Sequence, residues 1–338
     1  MANPVLVEVL RGAIVESAHR GSVAVVDADG GTVLALGDVE HPIFPRSAVK
    51  AIQALPLLES GAADAYGFRD REIALACASH SGEPEHAKLA AEMLGRAGLD
   101  RDALECGTHW PLGEPATIDL ARSGAEPSQL HNNCSGKHAG FVCTCMHAGV
   151  DRRGYVDYGH RMQAMLRSTM EEVTGAIHGE ANMATDGCSI PTYAVPLRSL
   201  ALGFARMATG VGMGVERIKS AKRIFAACMA EPFYVSGTGR MDMLLMQAGQ
   251  GRIFAKTGAE AVYCAALPEQ GLGIAVKCDD GATRAAETIV ASVLAGLLAS
   301  DESLRTRLSE LAAPAIRSRR GAVVGQVRPA EALTAAPA

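Results

Sequence analysis

Lysine is scarce in this chain of 338 residues. Of its 32 basic residues only seven are lysine: Lys50, Lys88, Lys137, Lys219, Lys222, Lys256 and Lys277. Arginine serves wherever any positive charge suffices. Each remaining lysine is therefore a candidate for what arginine cannot do, chiefly giving up a proton near neutral pH. Aromatics are also few, at 4%, with Trp110 the single tryptophan, and no basic run interrupts a net charge of −5. With neither a stacking platform nor a cationic stripe, a nucleic-acid partner is excluded. No apolar stretch has bilayer length; the longest, Ile289 to Ala299, is far too short, so no membrane partner is expected. Met1 to Gly21 lacks the basic and then apolar segments of a secretory leader. Nine cysteines, odd in number and scattered, do not read as a disulfide framework. A cytoplasmic, reducing location is the expectation.

What is present is ample core material. Hydrophobic residues make up 48% and charged residues 20%, with no polar low-complexity tract. Short strands are expected at Val5 to Leu10, Ala13 to Ser17, Val23 to Asp27 and Thr32 to Leu36, the last two joined by an Asp29-Gly30 turn. Beyond Pro42 and Pro45, Ala48, Val49, Ile52 and Leu55 recur at helical spacing. Further helices are expected over Pro84 to Gly95, Tyr155 to Thr174, Leu197 to Thr209 and Val215 to Met229. Strand character returns at Arg252 to Lys256, Ala261 to Ala266 and Gly273 to Lys277, then helices at Ala282 to Ala299 and Asp301 to Leu311, and a strand at Ala322 to Val327. The fold class is therefore α/β: an antiparallel sheet from residues 4–46 and 250–328, an inserted helical lobe over 47–249, and a flexible tail at 329–338. With no repeat or Gly/Ser linker, residues 1–338 read as one unit with a cleft between sheet and lobe.

Several short patterns could carry chemistry. Ser47 and Lys50 are three apart at a helix start, so the amine can meet the hydroxyl and serve as its base. Lys256-Thr257-Gly258 ends a strand, where the glycine lets substrate approach beside the lysine. This order, S-x-x-K followed by K-T-G, is that of penicillin-binding proteins and class A β-lactamases. Two lysines in one cleft would depress each other's basicity, as a lysine base requires. Between them, Ser79 or Ser81 fills a middle position, with Ser81 or Gly82 the better cap for the helix at Pro84. His80 and His86, six apart, do not share a helix face and read as surface residues.

The densest polar cluster, His131 to His138, contains Cys134 and Lys137 three apart and runs into an apolar helix, Phe141 to Met146. With Cys188, two thiolates and a nitrogen could hold zinc and leave a position open. Lysine is an unusual zinc ligand, so composition favours His138 as the nitrogen. A Cys134 thiolate activated by Lys137, or inert buried cysteines, are the alternatives. Ser236-Gly237-Thr238-Gly239-Arg240 opens a helix and could bind a carboxylate through its backbone and Arg240.

Taken together, the segments Phe44 to Lys50, Ala78 to Glu83, His131 to His138, Asp186 to Ser189, Ser236 to Arg240 and Lys256 to Gly258 resemble the asparaginase II family, the class 3 L-asparaginases, over Pro4 to Arg284. The resemblance implies a fold similar to serine β-lactamases and glutaminases, and hydrolysis of L-asparagine to aspartate and ammonia. It implies one Ser-Lys pair of Ser47 with Lys50 and a second of Ser79 with Lys256. Arg46, His80, Glu83, Asp186, Ser236, Gly237 and Arg240 would bind substrate. Zn²⁺ would be held by Cys134, Lys137 and Cys188 with a water, which replaces His138 by Lys137, and the assembly would be a homodimer. Three rivals remain: a glutaminase, a penicillin-recognising serine hydrolase, and a zinc-binding structural protein without turnover.

Overall fold

The computed structural model describes residues 2–335; Met1 and residues 336–338 of the expected tail lie outside the described residues. Among the described residues twelve strands form: β1 (Val5–Arg11), β2 (Ile14–Asp27), β3 (Thr32–Leu36), β4 (Pro42–Ile43), β5 (Met183–Thr185), β6 (Pro191–Tyr193), β7 (Val195–Pro196), β8 (Phe254–Thr257), β9 (Val262–Leu267), β10 (Leu272–Cys278), β11 (Ala315–Arg317) and β12 (Val323–Pro329). The main sheet runs β11-β12-β1-β2-β10-β9-β8, with β3 also on β2. Every pairing in it is antiparallel. Both ends of the chain thus build one sheet, and β8, which carries Lys256, is its edge.

One expectation is corrected here. The two strands read at Ala13 to Ser17 and Val23 to Asp27 are a single strand, β2, of 14 residues. Its first half pairs with β1 and its second half with β10 and β3. Ile14 to Glu16 of the first half are exposed, while Val23 to Val26 are buried, so the pattern changes midway without the strand ending. β8 and β9 are buried at every position and β10 at most, the signature of a sheet covered on both faces. Helix Leu197–Thr209 packs on β10 and β2, and helix Thr283–Leu297 on β9, β10, β12 and β1.

The helical lobe is built around Ser135–His147, of which nearly every residue is buried, packed against Asp70–Ala76 and Pro84–Arg96. That helix starts six residues earlier than the apolar run suggested, so Ser135 to His138 of the polar cluster lie on its first turn. The helix expected from Tyr155 begins at Arg161, and Tyr155 is instead a buried turn residue held by hydrogen bonds to Glu105 and His138. The expected flexible tail includes a short helix, Glu331–Thr334, whose Leu333 is buried against the core. One hydrophobic cluster runs from Leu6 of the sheet through Ile52 and Val142 of the lobe to Leu333. No helix among the described residues is long and apolar enough to cross a membrane.

Candidate active site

The turn after β4 places the first candidates. Arg46–Val49 is a 3₁₀ turn that leads directly into the short helix Lys50–Gln53. Arg46 has φ +52°, a left-handed conformation costly for a side chain with a Cβ. Its guanidinium donates to Asp186 Oδ1 at 2.8 Å, which fixes it from the loop between β5 and β6. From the sheet side, Gly258 presses on the same turn: a Cβ there would lie 2.6 Å from the Pro45 carbonyl oxygen. Only glycine lets the Lys256-Thr257-Gly258 strand end approach Ser47 this closely.

Lys50 is 1% exposed. Its amine donates to the Ala78 carbonyl at 2.5 Å and to Ser79 Oγ at 3.0 Å, and lies 3.1 Å from Cys134 Sγ. It is therefore drawn to the neighbouring segment, to Ser79, and not to Ser47 one turn ahead. Ser79 is fixed in turn by its N–H, which donates to the Val235 carbonyl at 2.9 Å. Lys256 is 0% exposed. Its amine donates to the Thr257 carbonyl at 2.8 Å and lies 3.5 Å from Asp242 Oδ2. Burial lowers the Lys256 ammonium to a pKa of about 8; Asp242 opposes this shift, and Lys50 and Arg240 reinforce it. An amine that titrates there is available as a base at mildly alkaline pH.

Around these groups the candidate binding residues are mostly partnered. His80 and His86 are buried, not on the surface, with rings stacked 5.0 Å apart. The Gly82 N–H donates to His80 Nδ1, so Nε2 carries the proton toward Ser135 Oγ at 2.9 Å. Burial, with the charges of His86 and Lys50, holds His80 well below the usual histidine range and keeps it neutral. Glu83, not Ser81 or Gly82, occupies the cap position before Pro84. Its carboxylate accepts from Ser81 Oγ at 2.6 Å, Thr238 N at 2.8 Å and Thr238 Oγ1 at 2.7 Å. Burial alone would raise its carboxyl, but these hydrogen bonds outweigh it and the net shift is downward.

Gly237 has φ +113° and leaves no room for a side chain, because a Cβ would sit 1.9 Å from Ser81 Oγ. The Ser236 hydroxyl is fully buried and has no partner among the described residues. Arg240 caps the helix Met241–Gly249 and its charge is felt at Lys256.

Cys134, Lys137 and Cys188 meet beneath Lys50, all three buried. Lys137 Nζ donates to Cys188 Sγ at 3.0 Å. The bond from Cys188 holds Cys134 well below the usual thiol range, against burial and with help from Lys50 and Lys137. Cys188 is pushed up correspondingly by its bond to Cys134 and by burial. Lys137 is raised despite burial by Cys188, Cys134 and Asp186. His138 Nδ1 is bonded to the Tyr155 hydroxyl at 2.6 Å, and its buried Nε2 has no partner among the described residues. Among the described residues no three histidine, cysteine, aspartate or glutamate side chains gather as a metal site. Asp186 links the two halves, since Lys137 and Arg46 together lower its carboxyl against the effect of burial.

Sequence reasoning gave no role to Asp242 or to Tyr263, whose hydroxyl donates to Asp242 Oδ1. Asp242 lies 14 residues before Lys256 on a different element, and no local spacing pointed to it. A cavity of about 570 Å³ adjoins the site, with Ile43, Phe44, Leu197, Glu260 and Lys277 in its walls; among the candidate residues only Arg46 lines it.

No curated protein matches the chain. Among solved structures it is similar to an octameric penicillin-binding protein homologue from Pyrococcus abyssi, at 12% identity and a TM-score of 0.30. That match covers 81% of this chain and 73% of the other. The family model for L-asparaginase II matches residues 7–329, nearly the whole length. The chain therefore belongs to the L-asparaginase II family of enzymes.

Proposed function

We propose that the chain hydrolyses the side-chain amide of L-asparagine through an acyl-enzyme formed on serine, with buried lysines as proton carriers. The observation that carries this reading is the Lys50 amine, 1% exposed, 3.0 Å from the Ser79 hydroxyl and one turn from Ser47. An amine held there can exchange a proton with the hydroxyl, which a guanidinium could not.

Ser47 Oγ attacks the amide carbon while Lys50 accepts its proton. The tetrahedral intermediate collapses, ammonia leaves with a proton relayed through Ser79 and Lys256, and water then hydrolyses the ester. The Ser47 N–H is the candidate donor to the oxyanion. Arg46 and Arg240 are the cations for the substrate's α-carboxylate, and Asp186 is the anion for its ammonium.

Cys134, Lys137 and Cys188 suit Zn²⁺ by donor chemistry: two sulfurs and an amine, buried together with their hydrogen bonds directed at one another. Held there, such an ion would supply positive charge near the reacting groups. The thiol and ammonium protons must leave for it to bind, so affinity rises with pH.

Ammonia release measured side by side on asparagine and glutamine tests the substrate. A clear preference for asparagine supports the reading, and a preference for glutamine replaces it with a glutaminase. Covalent labelling by a fluorescent penicillin would instead favour a penicillin-recognising enzyme. A second reading has a specific observation in its favour: the Lys50–Ser79 hydrogen bond makes Ser79 the alternative nucleophile, with Ser47 as the relay.

A further inference from the structure

Asp242 is a buried carboxylate behind Lys256, and its three donors come from two strands. It sits on the first turn of helix Met241–Gly249 and is 1% exposed. Its Oδ1 accepts from the Thr257 N–H at 3.1 Å and from the Tyr263 hydroxyl, while Oδ2 lies 3.5 Å from Lys256 Nζ. Tyr263 stands directly opposite Thr257 in the β8–β9 ladder and is itself fully buried. Because β8 is the edge strand, the carboxylate covers an N–H that would otherwise face outward unpaired.

Stability alone is a weak reason for this arrangement. Desolvating a carboxylate and an ammonium together roughly cancels their attraction, and apolar residues of the same size would pack as well. What the pair provides is a fixed amine and a counter-charge beside it.

We infer that Asp242 is a positioning residue for amide hydrolysis: with Tyr263 it fixes the Lys256 amine and, as its counter-charge, governs when that amine gives up its proton. The inference rests on the reading of Lys256 as a proton carrier. The groups facing Lys256 are few. Lys50 and Arg240 disfavour its charged form and Asp242 favours it. Cys228 of helix Val215–Ala230, held neutral by its bond to Cys77 and by burial, and Cys264 of β9, held neutral by burial, add no charge. Tyr263 is likewise kept protonated by burial and Asp242. Glu287 of helix Thr283–Leu297 faces Asp242 and Arg240, with its carboxyl raised by burial.

The test is the pH profile of kcat/KM for ammonia release from asparagine in the full chain, comparing wild type with Asp242→Asn. Asparagine keeps an acceptor for the Thr257 N–H and removes the charge. The alkaline-rising limb that tracks Lys256 should move down by about one pH unit or more. A rate scaled uniformly with the limb unmoved is what a merely structural role gives, and it overturns the inference. If Asp242→Asn does not fold, Tyr263→Phe decides. Without the hydroxyl the carboxylate attracts the ammonium more strongly, so the limb should move up, and an unmoved limb overturns the inference. Lys256→Met separates the two levels. Wild-type rates in that variant remove the proton-carrier reading and the inference with it. Collapsed activity there, with an unmoved limb in Asp242→Asn, removes the inference alone.

Discussion

Lys50 and Lys256 lie close enough for the charge of one to act on the other, but are kept in opposite ways. Lys50 belongs to the helical lobe, where its amine meets a carbonyl, a hydroxyl and a thiol, with no carboxylate among its hydrogen-bond partners. Lys256 belongs to the edge of the sheet, on a strand buried at every position, and faces the Asp242 carboxylate. The lobe thus places an amine against a serine, while the sheet places one against a counter-charge. The first arrangement suits direct proton exchange with a hydroxyl. The second suits a proton reservoir whose basicity is set by its surroundings.

Breaking the lobe side should have the largest effect. Lys50→Met removes the amine bonded to Ser79, and asparagine turnover should fall by about four orders of magnitude. Lys50→Arg should fare no better, because a guanidinium keeps its proton. Circular dichroism and thermal melts should show both variants folded; near-wild-type ammonia release in either would contradict the assignment.

Asp186→Ala comes next, since it frees Arg46 from the conformation at φ +52° that frames Ser47. A loss of roughly a hundredfold in kcat/KM is expected from misplacing the reacting groups. Steady-state kinetics would check it, and an unchanged kcat/KM would contradict the role.

Cys188→Ser sharpens the contrast, because the sulfurs belong to the lobe alone. Zinc retained after dialysis, measured by elemental analysis, should drop well below that of wild type, while Cys106→Ser should leave it unchanged. Equal retention in both variants would remove the proposed ligand set.

The smallest effect lies away from both lysines. Arg217 of helix Val215–Ala230 grips Glu59 through two hydrogen bonds at 2.7 and 3.0 Å. Arg217→Ala should cost about 1–2 kcal/mol in urea unfolding and leave kcat/KM unchanged.

Features that depend on near neighbours in the sequence were legible before the structure. Leu197–Thr209 keeps one apolar stripe from a proline to a glycine, and its limits match the expectation. Pro84–Arg96 is announced by its proline and early acidic residue. The K-T-G strand end and the cysteines that cluster with Lys137 were likewise visible as short strings.

What depended on distant partners was hidden. β2 runs through Gly21 because two different strands pair its halves, and no local signal reports that. Tyr155, 17 residues from His138, bonds its Nδ1, a contact that no spacing announced. Lys50 was expected on Ser47 by spacing, and the Ala78-Ser79 segment drew it aside. Asp242 reaches Lys256 only because a helix and an edge strand pack together.

The central claim is a serine acyl-enzyme formed from asparagine. Rapid mixing with asparagine, acid quenching within the first turnover and peptide mapping by mass spectrometry test it most directly. The account predicts an aspartyl adduct on the peptide containing Ser47, absent in Ser47→Ala. An adduct on Ser79 would exchange the roles of the two serines, and turnover with no covalent adduct on either would contradict the account.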